Sequence, residues 1–417
     1  MTVGGGDAPV EALSPTRAVI TILKAMIGAG VLALPYGCSL VHLGLALPGM
    51  AIVAILNAMG IWRLVECSIH LSASSDEGGK LANDWGLGPA AAVSSTVFGR
   101  AGLVVACTSV LSAQIGCCIC YVDVLTRTVA PYLEGILAPM MQKVVLFVLF
   151  CMLSLLRELR DLAWLSAVAL AVYAYVVFAL VKWGVSELSD GPEGTFWPVR
   201  WQGFGTWFGQ AIFAFEGINV AQYVYRDMQA ADPGPFLRVL TVSYVICWVL
   251  YSFVGGFGYW VYGANVKQVI YLSFPEGSLD VVTVEAVLCI VLLLTFAIQM
   301  YPVFHFVEAT CLGPMSTNDD GPEKQQAASC KFWASAAVLR WITVLLVFLG
   351  ALLVPDVAKI MDLCGALSFG TIGFVLPALL HLKVASSQLS ALDVAVDLVL
   401  LISGLIAIIL ALLPNSS

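Results

Sequence analysis

The chain has 417 residues, of which 60% are hydrophobic and only 11% charged, against roughly 45–50% and 25% in soluble domains. Nineteen basic and 27 acidic residues leave a net charge of −8, so no basic surface exists to neutralise phosphates and nucleic-acid binding is excluded. A mean hydropathy of +0.95 excludes a soluble enzyme and a disordered chain alike.

A helix needs about 20 apolar residues to cross roughly 30 Å of hydrocarbon. In chain order, such stretches lie near 17–37, 43–70, 95–129, 139–156, 161–183, 203–225, 236–262, 281–311, 332–354, 357–381 and 392–413. All are too long for barrel strands of ~9–11 residues. The expected fold is therefore an all-α polytopic membrane protein with about eleven transmembrane helices. Lysines and arginines in the short connections favour a cytoplasmic N-terminus, with Arg17, Lys24, Arg226 and Arg238 among those placed inside. Arg63 and Arg340 fall within spans. No basic n-region precedes an apolar run in residues 1–16, so no cleavable signal is expected. Twelve cysteines, including Cys117, Cys118 and Cys120, sit mostly within spans without nearby histidines and read as small packing residues rather than metal ligands.

The first span reads ILKAMIGAGVLALP from Ile22 to Pro35. Gly28 and Gly30 flank Ala29, and each glycine costs about 1 kcal/mol relative to alanine inside a helix. Two so close either unwind the helix around a cavity or let a neighbouring helix approach. The sixth span reads FGQAIFAFEGINVAQ from Phe208 to Gln222. Its Glu216, followed by Gly217, costs about 2.5–3.5 kcal/mol at the bilayer centre, which marks it as functional or paired. Breaks in spans one and six lie one five-helix unit apart, as two five-helix repeats of inverted topology would place them. A half-helix N-terminus in span one would face a carboxylate, and freed carbonyls in span six an ammonium. An amino-acid-like zwitterion fits both. The expected organisation is a short cytoplasmic tail over 1–16, a first repeat over 17–183, an outer loop over 184–202, a second repeat over 203–381, and an eleventh helix with a short C-terminus over 382–417.

ILKAMIGAGVLALP resembles the first-helix signature of the amino acid/auxin permease family, especially its proton-coupled amino acid transporter branch, and GQAIFAFEGINV resembles the sixth. SAQIGCCICYVDVL (Ser112–Leu125), LRELRDLAWLSAVA (Leu156–Ala169) and TFAIQMYPVFHFVEA (Thr295–Ala309) resemble helix three, the turn between helices four and five, and helix eight of that branch. The resemblance implies a leucine-transporter-type fold of five plus five inverted repeats with an extra C-terminal helix. Ala29 stands where the branch often carries a hydroxyl residue.

On this reading Met26, Ile27, Gly28, Ala29 and Gly30 hold the substrate carboxylate through backbone. Phe213, Ala214, Phe215 and Glu216 form the amine end. Glu216 is a pin for the unwound backbone, an ammonium partner or a proton carrier. Thr295 and Gln299 lie one turn apart in helix eight, where the resemblance implies an ion position; Thr295 can instead bond back to its own helix. Gln114, Tyr121 and Ser368 are further lining candidates, while Lys24 is expected to snorkel to the inner interface. The charged turn Arg157–Asp161 is either a solvated cluster or an inner gate.

The expected function is secondary active transport of small, neutral amino acids by alternating access, coupled to protons, with sodium as the alternative coupling ion and no other cofactor. The setting is a plasma or vacuolar/lysosomal membrane. An amino-acid sensor that barely transports and a carrier of cationic amino acids are the alternatives; a sensor would need a longer docking segment than these connections supply. No nucleophile–base constellation suggests an enzyme. Apart from substrate and bilayer, no partner is indicated.

Overall fold

A computed structural model describes residues 12–71, 89–155, 163–228, 232–275, 277–312, 321–354, 356–386 and 389–413. Among these, eight helices are long and apolar enough to cross a bilayer, and a ninth crossing is made by two helices meeting at 58°. That bent pair is α1 (Pro15–Met26) and α2 (Ala29–Val41), followed by α3 (Leu43–Leu71) and α4 (Pro89–Leu133). Then come α5 (Pro139–Leu153), α6 (Ala163–Glu187), and a second broken pair, α7 (Phe204–Ala214) and α8 (Ile218–Met228). The chain continues through α9 (Gly234–Tyr262), α10 (Leu279–Leu312) and α11 (Gly321–Leu353). A composite helix comes next: α12 (Val357–Leu363), two π-helical stretches over Cys364–Phe369 and Thr371–Val375, and α13 (Leu376–Val384). The last helix is α14 (Ala391–Leu412). With α5 and the α7–α8 pair added to the nine crossings, each apolar stretch of the sequence is accounted for. The protein is an all-helical integral membrane protein.

The broken spans sit at the centre of the packing. α2 lies between α7 and α9, and α7 packs against the composite helix. Glycine permits these approaches: a Cβ on Gly365 would strike the Gly209 carbonyl, and one on Gly60 the Gly373 carbonyl. Between helices in lipid, close backbone approach and dispersion replace the hydrophobic drive available in water. Gly365, Gly370 and Gly373 all fall within the π-helical region, where the widened turn accommodates the contacts.

The two arginines inside spans are both paired. Arg63 donates to Glu66 (Nη1, 2.7 Å) and Asp393 (Nη2, 2.9 Å), and its Nε lies 3.0 Å from Asp397. His381 Nδ1 stands 2.7 Å from the other Asp397 oxygen, which joins α3 and α13 to the last helix. Arg340 donates to Glu308 (2.6 Å) and to the Ser154 carbonyl (2.7 Å), tying α11 to α10 and to the end of α5. Burying either guanidinium alone would cost several kcal/mol, of order 2.5–3.5 on insertion scales, which explains why each is met by at least one carboxylate. The Arg157–Asp161 turn lies outside the described residues.

Candidate functional site

Spans one and six each lose the helical pattern midway, at places where glycine makes failure cheap. Span one ends its first half at Met26. Ile27 (φ −75°, ψ 98°) and Gly28 (φ −144°, ψ −158°) are extended, and α2 restarts at Ala29. Span six ends its first half at Ala214, and Phe215, Glu216 and Gly217 bridge to Ile218. Each break leaves carbonyls without helical partners on one side and N–H groups on the other.

Side chains satisfy part of this demand. The Tyr251 hydroxyl donates to the Met26 carbonyl at 2.7 Å, and the Tyr244 hydroxyl to the Phe215 carbonyl at 3.0 Å. These tyrosines stand seven residues apart, two turns along one face of α9, so a single helix holds the broken ends of both spans. At the second break the Asn219 side-chain amide donates to the Glu216 carboxylate at 3.4 Å, and Glu216 stands just before Ile218, the first residue of α8, which puts a negative group at the positive end of that helix. At the first break Gly28 is the N-cap residue of α2 and has no side chain to cap it. Nothing lies within 4 Å of where its Cβ would be.

Gly28 opens onto a cavity of about 450 Å³ shared by α1, α4, α6, α8 and α10. Of the residues singled out in the sequence, Ile27, Gly28, Gln114, Tyr121, Glu216 and both Thr295 and Gln299 line it. Gln299 donates to Gln114 across the cavity wall. Thr295 donates to the Val291 carbonyl at 2.7 Å, the back-bonded arrangement.

The remaining candidates lie behind or above the cavity. Met26 and Ala29 are buried, and Met26 contributes its carbonyl to Tyr251 rather than to the cavity. Gly30 is pressed against span six: a Cβ there would lie 2.9 Å from the Ala214 Cα and 3.3 Å from the Phe213 ring. Phe213 meets Phe369 edge-on, and Phe215 packs on Tyr251. Ser368 is bonded to Ser112 at 2.8 Å. These residues therefore belong to the packed junction of α2, α7, α9 and the composite helix.

Lys24, expected at the interface, lines the cavity instead, since the turn before the break faces inward. Thr21, Tyr173 and Asn219 also line it, and the sequence reading did not single them out. Tyr173 carried no signal, being one aromatic in an apolar run. Asn219 could have been found as the polar residue one turn after the glutamate.

A match to the family model described as transmembrane amino acid transporter protein covers residues 11–414. The chain belongs to this transmembrane amino acid transporter family. Among its relatives, amino acid transporter AVT3A of Arabidopsis thaliana is 29% identical over 95% of this chain and 88% of its own length. Amino acid transporter ANT1 of the same plant is 24% identical, over 96% of this chain and 91% of its own. Vacuolar amino acid transporter 4 of Saccharomyces cerevisiae is 22% identical, over 89% and 53%. The chain is thus a transporter-family member and not an enzyme, and membership implies a small-molecule amino acid substrate in a membrane setting.

Proposed function

We propose that the protein is a secondary active carrier that moves small, neutral amino acids by alternating access, driven by protons, with spans one to five and six to ten as inverted repeats. The observation that carries this reading is that both broken spans meet at one polar cavity, where exposed peptide groups are available to a solute. Gly28 offers the uncapped N-terminus of α2 to a carboxylate. Lys24 and Glu216 bring one charge of each sign to the wall, which suits a solute without net charge.

With the N-terminus cytoplasmic, α1 and α8 are the inner halves of their spans and α2 and α7 the outer halves. The cavity is lined from α1 and α8, whereas α2 and α7 are packed together through Gly30 and Ala214. This arrangement supports the reading of an inward-facing state, in which transport would require the α2–α7 contact to part. Glu216 is the carboxylate among the described lining residues, so it is the group for a coupling proton, and the Asn219 amide beside it donates to the carboxyl. The names of the yeast relatives support a vacuolar or lysosomal membrane.

The deciding experiment uses the purified full-length chain in liposomes, with a panel of labelled amino acids and a pH gradient or a sodium gradient imposed separately. Uptake of small neutral amino acids under the pH gradient alone is expected. Uptake under sodium alone refutes proton coupling, and saturable binding without flux refutes the carrier reading. Glu216→Gln, which keeps an oxygen acceptor for the Asn219 amide, should lose pH-driven accumulation and retain exchange; retained accumulation would remove Glu216 as the proton site.

A further inference from the structure

We propose that the groove between α3, α9 and the start of α14 is a binding site for a rigid, hydroxyl-headed amphipath of the sterol class. The groove holds about 590 Å³ and lies apart from the amino-acid cavity, with which it shares no lining residue. Its occupant follows from the membrane setting and its own chemistry, so the inference stands whether or not the transport reading holds.

Three features define the ligand. The first is length. The α3 wall runs from Ala51 to Arg63 and the α9 wall from Leu237 to Trp248, so at 1.5 Å per residue the groove is about 17–18 Å long. That is slightly more than one leaflet of a hydrocarbon core ~30 Å thick.

The second is shape. Ala51, Ala54 and Ala58 recur at helical spacing and give α3 a smooth floor, with Trp62 toward one end of the groove and Trp248 toward the other. Ile55, Val245 and Trp248 are exposed at its lips, so the opening faces the surface that lipid covers. A floor of methyl groups bounded at each end by an indole accepts a flat, rigid body, which loses little conformational freedom on binding; a flexible chain would lose more.

The third is charge. Apart from the Thr241 and Tyr244 hydroxyls, which are bonded to the Leu237 and Phe215 carbonyls, the groove's polar groups gather at one end, where Arg63 and Asp393 line it. That end lies toward the C-terminus of α3 and the N-termini of α9 and α14, the side of the bilayer on which those helix ends emerge. Arg63 faces three carboxylates there, Glu66, Asp393 and Asp397, and His381 stands beside Asp397 and Glu66. A phosphate headgroup would meet this acidic excess unfavourably. A single hydroxyl can donate to Asp393, whose side chain is 35% exposed, and can accept from an Arg63 N–H.

The test uses the full-length protein in phosphatidylcholine vesicles with a photoreactive, diazirine-bearing cholesterol, followed by mapping of the labelled peptides. Saturable labelling within residues 51–63 or 237–248 is expected. Excess cholesterol should reduce it roughly tenfold, the corresponding ketone and added phosphatidylcholine much less. Ala58→Phe fills the floor and Thr241→Phe narrows the opposite wall; each should lower labelling by about the same factor while amino acid uptake in sterol-free vesicles is unchanged. If one variant fails to insert, the other reads the same groove. Labelling confined to other segments, competed equally by phosphatidylcholine, insensitive to loss of the hydroxyl or persisting in an inserted variant would overturn the proposal and leave the groove to bulk lipid chains.

Discussion

Gly28 and Gly30 differ by two positions and serve different ends. Gly28 faces open space at the cavity, with a backbone conformation that alanine can adopt. Gly28→Ala is therefore expected to preserve uptake, while Gly28→Leu fills the cavity and blocks it. Gly30 faces the Ala214 backbone at 2.9 Å, so even a methyl group must displace α7, and overpacking of this kind costs about 1–3 kcal/mol. Gly30→Leu should abolish uptake while the protein still reaches the membrane; measuring labelled-solute flux beside membrane-fraction abundance separates the two effects, and normal flux in Gly30→Leu would refute the account. Tyr251→Phe removes the donor to the Met26 carbonyl and leaves a buried acceptor unpaired at a cost of about 1–3 kcal/mol. The expected result is a lower melting temperature and reduced uptake, with a smaller loss in Tyr244→Phe because its bond is longer.

The pairing of elements explains why these residues act together. Helix α9 holds both breaks through two hydroxyls on one face, so movement of span one relative to span six is registered by a single helix. Arg340 performs a comparable task for α10, α11 and the end of α5. Removing one partner of a buried pair costs about 3–5 kcal/mol because the other charge is left alone. Arg340→Met should accordingly lower thermal stability sharply in detergent, and Arg340→Met combined with Glu308→Gln should recover much of the loss. Equal destabilisation of the single and double variants would show that the pair contributes nothing through charge. A charge this deep is tolerated because the surrounding helices meet it with a carboxylate, a carbonyl and the Phe304 ring at 5.2 Å.

At the scale of the whole molecule, the apolar stretches specified the helices, because a segment that long and that poor in charge has no other stable state in hydrocarbon. The two breaks were legible for the same local reason: glycine pairs and a mid-span glutamate weaken a helix wherever it packs. The sequence also marked Glu216, Gln114, Tyr121 and both Thr295 and Gln299, polar residues that lipid would not accept. It did not separate Gly28 from Gly30, place Phe213 and Phe215 in the core, or bring Lys24 to the cavity, since each depends on which way a half-helix faces after its break. Nor did it connect Tyr244 and Tyr251 to backbone 29 and 225 residues away. Composition and local propensity thus determined the spans and where they fail; only the assembly of spans decided which freed groups are capped, which are pressed against a neighbour and which face the cavity, because those outcomes turn on contacts between segments far apart in the chain.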